Sequence, residues 1–203
     1  MPAYFSEGLP FDLKLCGEHV SLEPLQKQHC TELGDAAADG ELWNLHFTGV
    51  PNRETVAAYV HTALENKLAG TQHPFIVRRI SDSKLIGCTR YYDIEPSHPN
   101  LAIGYTWYSK SVQRSAVNTE TKLLLLSHAF ERLRCISVAF HTDDQNLTSQ
   151  AAIARLGATK EGVLRNHKRM PDGRIRHTWC FSIIDSEWPE IKQALTNRLH
   201  AGS

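Results

Sequence analysis

Nowhere in the 203-residue chain does an uninterrupted apolar run approach the ~20 residues of a membrane-spanning helix. Nor is there a surplus of charge. The 22 lysines and arginines match 22 aspartates and glutamates, so the chain lacks the broad positive field that nucleic acid or an anionic membrane would require. A small-molecule partner is the expectation instead. Cysteine is sparse: Cys16, Cys30, Cys88, Cys135 and Cys180 are odd in number, widely spaced and without a C-x-x-C pair, which reads as free thiols in a reducing compartment. Eleven histidines include no H-E-x-x-H or comparable ligand spacing, and no metal is assigned. Met1-Pro-Ala-Tyr-Phe-Ser-Glu7 has neither the basic start nor the apolar middle of a signal peptide, so the expected location is cytoplasmic. No internal repeat, low-complexity tract or linker is evident. The length suits one domain with a sizeable core.

What is present is a mixed order of strands and helices. Residues 1–16 read as an irregular arm and 17–199 as one domain. A first strand falls at 19–25 and helices at about 26–39 and 52–68, where Val56, Val60, Ala63 and Leu64 share a face. A hairpin follows, with strands at 73–80 and 85–93 joined by Ser81-Asp-Ser-Lys84. Late strands flank the Met170-Pro-Asp-Gly-Arg174 turn, and a last helix presents Trp188, Ile191, Leu195 and Leu199 on one face.

The most informative stretch is Ile103-Gly-Tyr-Thr-Trp-Tyr-Ser-Lys-Ser-Val-Gln-Arg-Ser-Ala-Val-Asn-Thr-Glu-Thr-Lys122. A strand passes through a polar turn into a long amphipathic helix marked by Leu123, Leu126, Phe130 and Leu133. The free N–H groups and positive dipole end of such a helix hold polyanions without needing a lysine. Asn118 stands where an N-cap is expected. A second strand, turn and helix follows: Ile136, Val138 and Phe140 alternate on one face, then Asp143-Asp-Gln-Asn146 leads to a helix that stops at Gly157.

These residues resemble the GNAT superfamily of acetyl-CoA-dependent N-acetyltransferases, in the branch of the ribosomal-protein N-terminal acetyltransferases. The matching pieces are Ile103-Gly-Tyr-Thr-Trp107, Asn118-Thr-Glu-Thr-Lys122, Asn146-x-x-Ser149-x-x-Ala152-Ile153, Leu156-Gly157, Glu161-Gly-Val-Leu-Arg165, Asp172-Gly-Arg174 and Glu187-Trp188. The resemblance implies an α/β fold of one domain: a central mixed, mostly antiparallel sheet of about seven strands with helices on both faces. It also implies direct acetyl transfer from acetyl-CoA to a primary amine, without a covalent enzyme intermediate.

The backbone of Trp107, Tyr108 and Ser109 would then pair with the pantetheine amides. Gln113, Arg114, Ser115, Ala116, Val117, Asn118 and Thr119 would form the pyrophosphate loop, from whose pattern the chain departs: Ala116 stands at the family's first glycine position and Asn118 at the second, which is glycine or alanine. Asn146 would hold the pantetheine arm, although it also reads as a helix cap, and Ser149 would pass a proton to the leaving thiolate. Where family members often carry a glutamate before the Ile-Gly-Tyr segment, this chain has Ala102. The general base is therefore sought among Glu95, His98, Asp93, His141 and Glu161; a histidine is near the needed pKa without tuning.

The basic run Arg165-Asn-His-Lys-Arg169, with Arg174 and Arg176, suits an acidic acceptor, the CoA 3′-phosphate or a solvated hairpin. The acceptor is expected to be a protein or peptide α-amine, or a small-molecule amine. Alternatives are a silent acyl-CoA-binding module of the same fold and a structural interaction protein. The terminal helix and the N-terminal arm offer surfaces for a homodimer.

Overall fold

The structure, a computed structural model, describes residues 9–170 and 172–201. Most of the proposed N-terminal arm (residues 1–8) and Pro171 of the late turn lie outside the described residues. The elements run β1 (Leu15–Cys16), β2 (Val20–Pro24), α1 (Cys30–Ala38), α2 (Val56–Leu68), β3 (Gln72–Arg79), β4 (Leu85–Glu95), β5 (Asn100–Tyr108), α3 (Ala116–Ser127), β6 (Ser137–Asp143), α4 (Leu147–Arg155), β7 (Thr159–Arg169), β8 (Ile175–Ile184) and α5 (Trp188–Ala201). One eight-stranded sheet has the order β1-β2-β3-β4-β5-β6-β8-β7. The two-residue β1 comes from the end of the arm and pairs with β2. Every neighbouring pair is antiparallel except β5 and β6, which are joined through α3. A parallel pair needs such a crossover, because a tight hairpin reverses the chain.

Alternation along the strands divides the interior in two. On one face Phe75, Tyr91, Leu101, Ile103, Val138, Phe140, Phe181 and Ile183 pack with Leu125 and Leu126 of α3, Ile153 of α4 and Trp188 and Leu195 of α5. On the other, Ile76, Leu85, Cys88 and Trp107 pack beneath Leu33 of α1 and Val60 and Ala63 of α2. The helices expected at 26–39 and 52–68 are thus the roof of this second core. Asn52 opens α2, its Oδ1 accepting from the N–H groups of Glu54 and Thr55 while its own N–H donates to Thr55 Oγ1.

One expectation at the start of α3 is corrected. The cap is Ser115, not Asn118: Ser115 is extended (φ −113°, ψ −174°) and its Oγ accepts from the Val117 N–H at 3.3 Å. Arg114, in the left-handed region at φ 62°, turns the chain so that helical geometry begins at Ala116 and Asn118 falls inside the first turn. After Ser127 the helix continues as one π-helical turn (His128–Arg132), which carries the apolar stripe on to Phe130 and Leu133.

Candidate active site

The site is built where the sheet comes apart. β5 and β6 pair only at Asn100–Ser137, Leu101–Val138 and Ala102–Ala139. β5 then runs on to Tyr108 and β6 to Asp143 without further mutual pairing. Their facing backbone edges open into a wedge, a slot that an extended amide-bearing chain fits as an added strand.

A bulge sharpens the divergence. Arg90 pairs with Gly104 and Cys88 with Trp107, so Tyr105 and Thr106 together oppose Thr89. Tyr105 sits in the left-handed region at φ 52°. Such an insertion bends the strand and re-aims its backbone groups. It also switches the side chains: Trp107 packs under α1 and α2 with its Nε1 3.4 Å from Tyr59 Oη, and Tyr108 packs against the α3 face. Ser109 Oγ donates to the Ala36 carbonyl. The side chains of residues 107–109 are therefore committed to the interior, and only their backbone is offered to the wedge.

At the wide end of the wedge lies the start of α3. Gln113 Nε2 donates to the Tyr108 carbonyl (3.0 Å) and Ser115 Oγ to the Val112 carbonyl (2.6 Å), tying the turn to the strand. The exposed Arg114, half-buried Asn118 and Thr119 and the first-turn N–H groups not used by the Ser115 cap form a donor-rich rim of the kind a pyrophosphate needs. Across the wedge, Asn146 caps α4, accepting from the Ser149 N–H at 3.0 Å, and both side chains are half-buried. The cap occupies the carbonyl of Asn146 and leaves its amide N–H groups free to donate elsewhere.

On the face opposite α3, Tyr92 Oη lies 3.0 Å from His141 Nδ1, reaching from β4 over β5 to β6. Gly104 permits this crossing, since a Cβ there would stand 2.7 Å from Tyr92 Cε1. His141 is two residues beyond the last β5–β6 pair, on the same face as Ala139, and so at the mouth of the wedge. Burial holds its pKa below the ordinary histidine value; His167, Lys168 and Arg176 add to the depression and Asp93 opposes it. An open recess of about 210 Å³ follows this face past Asp93, Asn100, Leu101, Ala102, Ser137, Ala139 and His141.

The expected residues fall into separate groups. Residues 107–109, 113–119, Asn146 and Ser149 surround the wedge and its wide end. Glu95 and His98 do not join them: Glu95 pairs with Asn100 at the closed end of the β5–β6 pair, and its carboxylate is engaged by Ser97, which holds its pKa below the usual range. Glu161, on β7, accepts from Ser182 Oγ at 2.5 Å. Arg174 of the basic group binds the buried Asp143 at 2.7 Å and is a structural tie rather than a free cation.

Two features escaped the sequence reading. Arg90, buried, is sandwiched between the rings of Tyr59 and Tyr105 at 4.6 and 4.5 Å and holds the bulge residue from below. Lys122 is buried as well, at 6% exposure, with its Nζ 2.9 Å from Thr106 Oγ1.

A sheet split at its one parallel pair among the described residues, a bulge on one arm and a helix start at its mouth are the features of an acyltransferase fold that uses a CoA thioester. The acetyltransferase (GNAT) domain model matches residues 19–159, and the chain belongs to that family, whose members use acetyl-CoA as co-substrate. Among solved structures, a T. thermophilus protein provisionally described as an acetyltransferase is 33% identical, with TM-score 0.82 over 94% of this chain and 99% of that one. A GCN5-related N-acetyltransferase from Brucella melitensis is 28% identical, with TM-score 0.84 over 96% and 91% of the two chains. Mycobacterium smegmatis RimJ, solved with CoA-disulfide, shares the fold at 17% identity and TM-score 0.74, covering 88% of each chain. A search of curated proteins found no match.

Proposed function

We propose that this acetyltransferase modifies the α-amine of a protein or peptide, with His141 as the general base. The observation that carries this is the open, shallow face on which His141 stands. α1 and α2 roof the sheet over β3, β4 and β5, whereas past Ala139 and His141 the recess of about 210 Å³ lies open to solvent. A chain end can lie along such a trough with its terminal nitrogen at the wedge; a small metabolite is usually enclosed on more sides. The fold shared with RimJ is compatible with this reading.

Acetyl-CoA supplies the activated acyl carbon. The chain's backbone along residues 105–109 orients it, and the rim at 113–119 takes the phosphates. His141, neutral near pH 7 because its pKa is lowered, accepts the proton that the attacking amine gives up. Tyr92 fixes the ring.

Thermal unfolding with and without acetyl-CoA tests the cofactor rim, since a ligand at about 100 times its dissociation constant adds ~2.7 kcal/mol to the folded state. Mass spectrometry of peptide and alkylamine panels incubated with acetyl-CoA then tests the acceptor. An upward shift with acetylation of peptide N-termini is expected. Acetylation confined to small amines would overturn the peptide reading, and no shift at saturating acetyl-CoA would overturn the cofactor placement.

A further inference from the structure

Lys122 lies four residues after Asn118 on α3, one turn deeper on the same side of the helix and under the wedge. Its Nζ donates to Thr106 Oγ1 on β5 at 2.9 Å and stands 6.0 Å from the centroid of Phe140 on β6. It therefore reaches both arms of the split. Thr106 and Thr89 Oγ1 are in turn 2.8 Å apart. The groups that face it are hydroxyls and an aromatic ring: Thr106 from β5, Thr89 behind it on β4, Phe140 from β6. Glu120, two residues away on the helix, directs its carboxylate to backbone N–H groups of residues 18–20.

A lysine buried with one neutral partner costs stability, because desolvation penalises its charge and little returns the loss. The fold nevertheless presents it between Thr106 and Phe140, on the two strands that part at the wedge. Resting on the acetyl-transfer reading above, we propose that Lys122 is a catalytic residue that protonates the CoA sulfur as it leaves. As the amine nitrogen forms its bond to the acyl carbon, the carbon–sulfur bond breaks and the sulfur's electron pair takes a proton from Nζ. His141 removes the surplus proton from the new amide nitrogen and passes it to solvent. Lys122 regains its proton from solvent when CoA departs. Burial alone brings the Lys122 pKa down to about 7, where an ammonium donates readily to a thiolate. Ser149, whose hydroxyl is a far weaker acid, keeps a hydrogen-bonding part at the start of α4.

Lys122→Met, similar in length and uncharged, is the decisive variant, and its fold is checked by thermal unfolding. With acetyl-CoA and a peptide that the wild type acetylates, kcat is expected to fall about 100-fold with the KM for acetyl-CoA little changed. The wild-type rate is expected to decline above pH about 7, as Lys122 loses its proton, and the variant to lack that decline. A binding measurement stands apart from turnover. By calorimetry at pH about 6, where Lys122 keeps its proton, wild type is expected to prefer CoA over desulfo-CoA roughly tenfold, from one charge-assisted hydrogen bond to sulfur, and Lys122→Met to bind both alike. A folded variant that keeps the alkaline decline and the preference for CoA overturns the assignment while leaving the acetyltransferase reading intact. Wild type that neither binds CoA nor releases it from acetyl-CoA with any peptide or alkylamine overturns both.

Discussion

The two sides of α3 treat buried charge in opposite ways. Glu120, at 4% exposure, accepts from the backbone N–H groups of Glu18, His19 and Val20 at 2.7, 2.8 and 2.7 Å, and packs so closely on Gly17 that a Cβ there would meet its carboxylate at 2.4 Å. Lys122, two residues on and equally buried, has Thr106 as its hydrogen-bond acceptor. A charge whose bonding capacity is met by fixed backbone locks one element to another. One left short of partners keeps a proton it can give away. Glu120 fastens the β1–β2 turn to α3, while Lys122 lies under the wedge.

The comparison breaks most sharply at Glu120. Glu120→Ala strands three backbone donors and is expected to cost at least about 3 kcal/mol, lowering the unfolding midpoint by roughly 10 °C. Differential scanning calorimetry reads this directly. A loss comparable to that of an exposed glutamate would mean the clamp contributes nothing and the contrast fails.

Lys122→Met tests the other half, with the opposite sign. Because the folded-state pKa is lowered to about 7 from 10.5, the unfolded chain binds the extra proton between those values, so wild-type stability rises with pH across that window. The burial penalty is fully present below pH about 7 and fades toward 10.5. The variant is therefore expected to be about 2 kcal/mol more stable than wild type at acidic to neutral pH, with the advantage shrinking as pH rises. Urea unfolding at several pH values checks it. A variant less stable than wild type at neutral pH would show that the ammonium is well compensated.

How much of this was legible in the sequence depended on the range of the contact. The strand, turn and helix from Ile103 to Leu126 and the cap at Asn146 follow from local pattern, because period, turn chemistry and capping act within a few residues. The wedge does not. It depends on where β5 stops pairing with β6, strands separated in sequence by the whole of α3, and nothing in either strand alone sets that register. Tyr92 and His141 meet across 49 residues through space that Gly104 leaves vacant. His141 was readable as one of several bases, but not its partner. Glu95 and His98 were attractive because they precede Ile103 in sequence, yet the hairpin carries them to the closed end of the strands. Lys122 gave one signal, a charge directly ahead of four leucines and four residues after Asn118, and helix surfaces carry such lysines routinely.

The smallest effect concerns how the rim itself begins, where the sequence favoured Asn118 and the structure uses Ser115. Ser115→Ala removes the acceptor for the Val117 N–H and the donor to the Val112 carbonyl, and is expected to cost about 1 kcal/mol, the usual worth of a helix cap. Asn118→Ala, inside the first turn, is expected to change stability by no more than about 0.5 kcal/mol. Paired denaturation curves separate them, and the reverse ranking would return the cap to Asn118. The distinction bears on the two buried charges as well: with the cap at Ser115, helical geometry starts early enough for Asn118 and Lys122 to share one side of α3 while Glu120 points to the β1–β2 turn. A helix begun at Asn118 would leave Ala116 and Val117 outside the helical frame that carries Lys122.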